Sequence, residues 1–210
     1  MEFLQGIAQW YMEGKWGMHL ILVTMIFAFS IIIERVWYVV IKSNIKAEPF
    51  TLECIKRIKK RDINGAIELC NKQDTPLTRI IKGALQAFME GEENIQQVTD
   101  EISLVEIPRL DRRIPYLGML ANVAVLLGLL GTISGLITCF GSLAGVSAAE
   151  KTTILSAGIS EAMHCTAFGL FVAITSVIFH GFLVGRSTKI MADIDSSVVK
   201  ILNTLEEVRR

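Results

Sequence analysis

Two long apolar segments in the second half of the chain place the strongest constraint on its fold. They cover residues 117–143 and 155–184, and each is long enough to cross a membrane as a helix. Both are rich in Gly, Ala, Ser and Thr, which a simple membrane anchor does not need, whereas small residues let helix backbones approach closely. The pattern therefore predicts two closely packed membrane helices that do more than anchor the chain.

The charged residues divide the chain into membrane and soluble parts. Residues 42–113 contain 13 Lys/Arg and 12 Asp/Glu, whereas residues 114–185 contain only three charged residues. A third apolar segment, residues 18–41, precedes the charged part. Because the 21 basic and 21 acidic residues of the whole chain cancel, net charge gives no support for a nucleic-acid partner.

The Lys and Arg residues that flank the three spans predict the orientation of the chain. Cytoplasmic loops carry an excess of such residues, so we expect segments 42–116 and 185–210 in the cytoplasm and segment 144–154 as an outer turn. Residues 1–17 are expected outside, with an amphipathic helix at 2–14 on the membrane surface or packed on protein. The flanking residues are Lys42, Lys46, Arg109, Arg112, Arg113, Arg186 and Lys189 on the inner side, and Lys15 and Lys151 on the outer side.

We expect an all-α integral membrane protein with three transmembrane helices and long cytoplasmic helical extensions. The boundaries predicted between the cytoplasmic helices are a break at 61–65, a start at Thr75-Pro76, an end at Gly91, a start near Asn94 and junctions at Pro108 and Pro115. After the third span, apolar residues recur every three or four positions, which predicts that the helix continues well beyond it. These residues are Ile190, Ile194, Val198, Ile201, Leu205 and Val208.

Enzyme chemistry finds little support in the sequence. The four cysteines, Cys54, Cys70, Cys139 and Cys165, do not have the spacing of a metal site. The spans show neither paired carboxylates nor a nucleophile beside a base. We therefore expect no catalytic residues, no metal and no cofactor, and a membrane enzyme is an unsupported alternative.

Three polar residues inside the apolar segments are candidates for a polar path. Counting outward from the turn centred near Ser147-Ala148 places Thr132 and Thr166 at similar depths. Glu161 lies closer to the outer side than Thr166, by roughly 7 Å along the helix. A hydroxyl both donates and accepts hydrogen bonds, so it can relay a proton, whereas a carboxylate can also store one. We expect these three residues to line the path.

Structural roles are the alternatives for the same residues. A threonine in a membrane helix often bonds to a carbonyl of the preceding turn of its own helix, and Glu161 can extend to the outer interface. His164, one turn from Glu161, either titrates or hydrogen-bonds to another helix. The sequence leaves these roles open.

Small residues form one face on each of the last two spans. Such faces suit tight helix packing, either within one chain or between subunits. Three helices offer little room for so many of these faces, so we expect a homo-oligomer. The faces consist of Gly128, Gly131 and Gly135 on the second span and of Gly158, Ala162, Gly169 and Ala173 on the third.

The end of the first span carries two adjacent opposite charges. Glu34 and Arg35 lie in an apolar segment, next to Trp37 and Tyr38. Aromatic residues and long charged side chains gather where a helix leaves the hydrocarbon region. We therefore expect an ion pair at the membrane interface. The first span, which contains Thr24, is expected at the lipid-facing periphery.

Two stretches of the spans resemble a known family. The signature segments of the MotA/TolQ/ExbB proton-channel family are similar to LLGLLGTISGLI at 126–137 and to ISEAMHCTAFGLFVAI at 159–174, and the closest likeness is to the ExbB/TolQ branch. The likeness is weaker over 17–41 and 63–88. The resemblance implies a three-span protein with its N-terminus outside, in the bacterial inner membrane.

The resemblance also implies a mechanism and partners. In that family, five such subunits surround two single-span helices of an ExbD/TolR-type partner, which carries a titrating membrane Asp. Proton flow through the complex drives mechanical work for envelope transport or maintenance. By motif match, Thr132 and Thr166 would face the pore, and Glu161 would be the glutamate of the third span.

Two positions depart from the family pattern. Val125 and Thr175 stand where the family usually has Pro. Thr175 and the neighbouring Ser176 add hydroxyls, which we expect to extend the polar path toward the cytoplasm. The alternatives to a proton-driven motor are a non-conducting membrane scaffold and a gliding or sodium-coupled motor subunit.

Overall fold

All regular structure in the described part of the chain is helical. The computed structural model describes residues 15–43 and 45–209, so the predicted amphipathic helix at 2–14 lies outside the described residues. The elements are α1 (Lys15–Val36), continued by a π-helix (Trp37–Lys42), α2 (Ala47–Lys59), α3 (Ile63–Asn71), α4 (Pro76–Glu90), α5 (Ile95–Glu106), α6 (Pro108–Asp111), α7 (Ile114–Gly141) and α8 (Ala148–Arg209).

Three of the helical stretches in the described residues are long and apolar enough to cross a membrane. They lie within Gly17–Lys42, Ile95–Gly141 and Glu150–Arg209, which confirms the number of spans predicted from the sequence. The connection between the last two differs from the predicted turn at 144–154. It comprises residues 142–147, where Gly145 takes a positive φ of 84°, and α8 begins at Ala148.

The chain divides into two compact units. Unit 1 contains residues up to Ile33 and Arg113–Gly181, and unit 2 contains Glu34–Arg112 and residues from Phe182 onward. The core of unit 1 combines residues of α1, α7 and α8, and many of its members are small. This core consists of Met18, Ile21, Ala121, Ala124, Cys165, Phe168, Val172 and Ala173.

The outside of unit 1 is apolar. Large side chains of all three helices are exposed there, among them Phe27, Leu126 and Met163. A water-soluble protein rarely leaves so many large apolar side chains in contact with water. This surface fits a lipid environment or contacts with other membrane helices.

Unit 2 is a helical bundle that includes the end of α8. Its core contains buried side chains of α2, α3 and α4, such as Ile58, Ala66 and Leu85. The predicted apolar stripe after the third span is part of this bundle, since Ile190, Ile194, Val198, Ile201 and Leu205 are all buried. At the end of α8, Arg209 donates a 2.9 Å hydrogen bond to the carbonyl of Glu92.

Local sequence signals set the helix ends in unit 2. The Thr75 hydroxyl accepts a hydrogen bond from the backbone N–H of Thr78, and Pro76 opens α4. Gly91 ends α4 with a φ of 78°, a left-handed conformation that glycine adopts without strain. Arg61 also has a positive φ, at the predicted break between α2 and α3. These boundaries agree with the predicted ones.

Candidate functional site

The small residues of α7 and α8 pack against each other within unit 1. A Cβ added to Gly128 would lie 3.2 Å from the Cα of Thr166, and one added to Gly169 would lie 2.6 Å from the carbonyl oxygen of Ala124. A Cβ at Gly169 would clash with this backbone oxygen, and one at Gly128 would make an unusually tight contact, so glycine favours this close approach. The two helices therefore meet backbone to backbone at this level.

The close contact extends along both helices. A Cβ on Gly131 would lie 2.7 Å from the Cβ of Cys165, and one on Gly135 would lie 3.2 Å from that of Ala162. Nearer the connection between the helices, Gly158 faces Cys139. The same level includes α1, because a Cβ on Gly17 would lie 3.2 Å from the Cα of Gly131.

The packing of α7 on α8 removes the reason given above for expecting an oligomer. The small-residue faces of the second and third spans are occupied by contacts within one chain, and Ala173 is buried in the same core. The inference that such faces exceed what one chain can bury was therefore wrong, because α7 and α8 cover each other. Homo-oligomerisation needs other support.

Thr166 connects the two helices by a hydrogen bond. Its hydroxyl donates to the carbonyl oxygen of Gly128 at 3.2 Å. Thr132 lies four residues after Gly128, one turn along the same helix. The structure thus places Thr166 against α7 one turn from Thr132, with the carbonyl of Gly128 as the acceptor of Thr166 alone. Sequence reasoning missed this acceptor, although the glycine that exposes it was visible.

The other hydroxyl groups of the predicted path bond within their own helices. Thr132 donates to the carbonyl of Leu129 at 2.6 Å, and Thr175 to that of Phe171 at 2.8 Å. Ser176 donates to the carbonyl of Val172 at 2.8 Å. Such bonds use the hydroxyl proton only, so each oxygen retains lone pairs that can accept a hydrogen bond from water.

The hydroxyl side chains of the predicted path differ in solvent exposure. Thr132, Thr166 and Thr175 are half-buried or exposed in the single chain, whereas Ser176 is 1% exposed. Ser176 thus lies in the packed interior of the unit and has no open side toward a path. The sequence expectation that it extends the path is not supported by this position.

Glu161 lies on a different side of α8 from Thr166. Five residues of an α-helix correspond to a rise of about 7.5 Å and a rotation of about 140°. Glu161 is half-buried. The three predicted path residues therefore do not share one helix face, although they belong to the same unit. One turn away, the hydroxyl of Ser160 and Nε2 of His164 lie 3.4 Å apart.

The predicted ion pair at the end of the first span forms, but the side chain of Arg35 is buried. Nη2 of Arg35 lies 2.8 Å from Oε1 of Glu34. The Arg35 side chain is buried in unit 2, where Nη1 donates to the carbonyl of Arg109 at 3.1 Å and the guanidinium lies 5.0 Å from the centre of the Tyr38 ring. Arg35 thus holds two parts of unit 2 together through a backbone carbonyl that the sequence did not indicate.

Unit 2 also contains a chain of ionic contacts that the sequence did not indicate. Arg79 bonds to Asp74 at 2.6 Å and to Glu106 at 2.9 Å, and Glu106 also contacts Arg109. The Arg79 guanidinium beside Asp74 holds the pKa of that carboxyl below its usual range. The contact between Arg79 and Glu106 joins residues 27 positions apart, so the sequence alone does not show that the two local pairs are connected.

Metal chemistry receives no support from the geometry of residues 15–43 and 45–209. In these ranges, no three His, Cys, Asp or Glu side chains are grouped so that they can hold a metal ion.

Comparison with known proteins gives consistent matches. The model of the MotA/TolQ/ExbB proton channel family matches residues 72–196. An ExbB-like biopolymer transport protein of Synechocystis sp. is 29% identical over 72% of this chain and 72% of its own length. The biopolymer transport protein ExbB of Neisseria gonorrhoeae is 31% identical over 67% of this chain and 72% of its own length.

A TolQ protein is also similar over a shorter stretch. The Tol-Pal system protein TolQ of Haemophilus influenzae is 38% identical over 42% of this chain, and the alignment spans 38% of that relative. These relatives agree with the ExbB/TolQ branch, whose members are channel or motor subunits and not enzymes. The family match covers more than half of the 210 residues, and the chain therefore belongs to the MotA/TolQ/ExbB proton channel family.

Proposed function

We propose that this chain is the membrane subunit of an ExbB/TolQ-like motor that converts the proton gradient into mechanical work on the cell envelope. The observation that carries the proposal is the hydroxyl of Thr166, which bonds across to the carbonyl of Gly128 in α7, one turn before Thr132 on that helix. The gradient is a sufficient source of energy, since one charge that crosses 100 mV releases about 2.3 kcal/mol. The family match and the names of the relatives support the same function.

The partner in this proposal is a single-span protein of the ExbD/TolR type with an Asp in its membrane helix. The hydroxyls of Thr132 and Thr166 accept hydrogen bonds from water and orient it toward that carboxylate. Their half-buried positions support this role, because each side chain has an open side. Thr175, which also has an open side, continues the path toward the cytoplasm.

Glu161 has a separate part in the proposal. Its position on another side of α8 suits a group that takes up a proton on the outer side of the path and passes it inward.

The assembly we propose is a pentamer with its N-terminus periplasmic and its C-terminus cytoplasmic, in the bacterial inner membrane. Segments 42–116 and 185–210 then lie in the cytoplasm. The apolar outside of unit 1 supports both lipid contacts and contacts with other subunits. Native mass spectrometry in mild detergent tests the stoichiometry, and a stable monomer would remove the pentamer from the proposal.

Reconstitution tests the function. Liposomes that contain this chain and a single-span partner with a membrane Asp should acidify under an imposed proton gradient, and liposomes with either protein alone should not. A complex that assembles but does not conduct would favour the scaffold. Conduction that follows a sodium gradient without proton flux would favour the sodium-coupled alternative.

A further inference from the structure

We propose that unit 2 binds the phosphodiester headgroup of a membrane phospholipid in a groove between the start of α2 and the part of α8 after the third span. The walls of this headgroup groove are residues 45–49 on one side and residues between Arg186 and Asp193 on the other. Its volume is about 430 Å³, which is enough to accept a headgroup. The inference depends on the membrane location of the chain and not on proton conduction.

The charges of the groove fit a singly charged anion. Three cationic side chains line it, namely Lys46, Arg186 and Lys189, together with the carboxylates of Glu48 and Asp193. The lining therefore has a formal charge of about one positive unit. A phosphodiester carries one negative charge, whereas a phosphomonoester carries up to about two near neutral pH. The charge balance thus favours a lipid phosphodiester over free phosphate.

The beginning of α2 adds backbone donors to the groove. The N-cap residue Lys46 makes no side-chain hydrogen bond to the first turn of this 13-residue helix. The first N–H groups of a helix lack partners within the helix, and together with the helix dipole they favour an anion. Ala47 and Glu48, the first two residues of α2, both line the groove.

A buried hydroxyl lies in a small cavity beside the groove. Ser43 is 2% exposed, and its Oγ has no hydrogen-bond partner in the described part of the protein. It lines a small cavity of about 10 Å³ that shares Ile45, Ala47, Ile190 and Asp193 with the headgroup groove. A buried hydroxyl without a partner is costly, and a cavity of this size holds about one water molecule. A single water molecule in this cavity would satisfy the hydroxyl next to the groove.

The sequence position of the groove supports a lipid as its occupant. One wall begins three residues after Lys42, where the candidate span Gly17–Lys42 ends. The other wall begins at Arg186, directly after the apolar run of the third span. Both walls thus follow a membrane segment, where the phosphates of a leaflet are found.

Lipid titration of the purified full-length protein tests the site. Native mass spectrometry with added phosphatidylglycerol should show at least one retained lipid for each chain. The double variant Arg186→Gln/Lys189→Gln should bind this lipid about tenfold more weakly or worse, since each cation near a phosphate contributes on the order of 1 kcal/mol. Lys46→Gln, in the connection before α2, should weaken it in the same direction.

Two controls make the result decisive. Lys200→Gln changes an exposed cation of the same helix outside the groove, so it should leave lipid binding unchanged. Glycerophosphoglycerol, which has the same phosphodiester without acyl chains, and inorganic phosphate should not displace the lipid at equal concentration. Unchanged lipid binding in correctly folded variants, or displacement by either soluble compound, would overturn the proposal. Proton flux of the variants, measured separately, reports on the motor function and not on this site.

Discussion

At the scale of single residues, Gly128 controls how closely α7 and α8 approach. In the variant Gly128→Ala, the new methyl group would lie 3.2 Å from both the carbonyl oxygen of Cys165 and the Cα of Thr166, and neither backbone atom can move away alone. We expect the helices to separate and the free energy of unfolding to fall by about 1–3 kcal/mol. Thermal unfolding in detergent measures the change.

A matched control is available in α8. A methyl group added at Gly181 would have no packing neighbour within 4 Å in the described part of the chain. Gly181→Ala should therefore be neutral or slightly stabilising, because alanine favours helix. Equal destabilisation by both substitutions would show that the close contact at Gly128 does not cause the loss in the free energy of unfolding.

The levels of the path residues could be predicted from the sequence, but their bonds could not. Counting from the turn placed Thr132 and Thr166 together because helical rise is regular. The acceptor of Thr166 depends on which carbonyl the facing helix exposes, and that is set by the rotation of both helices. Thr24 illustrates the same limit, since the sequence places its helix at the lipid-facing periphery but does not reveal that this side chain is buried.

At the scale of elements, Glu106 links α4 to the segment around α6. Its carboxylate is buried and bonds to Arg79 and Arg109. In the variant Glu106→Ala, both guanidinium groups lose an ionic partner, and we expect a loss of about 1–3 kcal/mol in the free energy of unfolding. Glu101→Ala, at an exposed position of the same helix, should change it little. Similar stabilities of the two variants would contradict this role.

The stability of unit 2 should depend on pH through the Asp74–Arg79 ion pair. Arg79 lowers the pKa of Asp74, so the pair stabilises the fold above the ordinary pKa of 3.8, and this stabilisation is lost as pH falls through the lowered value. The stability difference between wild type and Asp74→Asn should therefore shrink as pH falls below about 4. Thermal unfolding across this range measures it, with Asp100→Asn as the exposed control. A constant difference would contradict the prediction.

Helix ends in unit 2 were predictable because they depend on local chemistry. The hydroxyl of Thr75 and the ring of Pro76 favour a helix start, and Gly91, which has no side chain, favours a helix end. The π-helix at Trp37–Lys42 was not predictable, since WYVVIK reads as an ordinary continuation of the first span. Burial of Arg35 was missed because its acceptor, the carbonyl of Arg109, is 74 residues away.

At the scale of the whole molecule, the orientation in the membrane is open to a direct test. Cys54 and Cys70 are unsuitable reporters, because both are buried and because the hydrogen bond with Cys70, together with burial, raises the pKa of Cys54. We instead introduce exposed thiols with Lys60→Cys in unit 2 and Thr152→Cys near the start of α8. A membrane-impermeant thiol reagent added to intact spheroplasts should label only the second.

Lysis should then expose the Lys60→Cys thiol to the same reagent. Labelling of Lys60→Cys from outside, with protection of Thr152→Cys, would reverse the orientation and with it the direction of the proposed proton path.

The most direct test of the central claim is proton flux through the complex with its single-span partner in liposomes, compared between wild type and the double variant Thr132→Val/Thr166→Val. Valine keeps the shape of threonine and removes its hydroxyl, so we expect an assembled complex whose flux is lower by about tenfold or more, the change that about 1.4 kcal/mol in a barrier produces. Thr24→Val is the control, because this buried hydroxyl bonds to the carbonyl of Leu20 in its own helix, and it should conduct normally. Wild-type flux in the double variant would contradict the account and leave these threonines a role in helix packing alone.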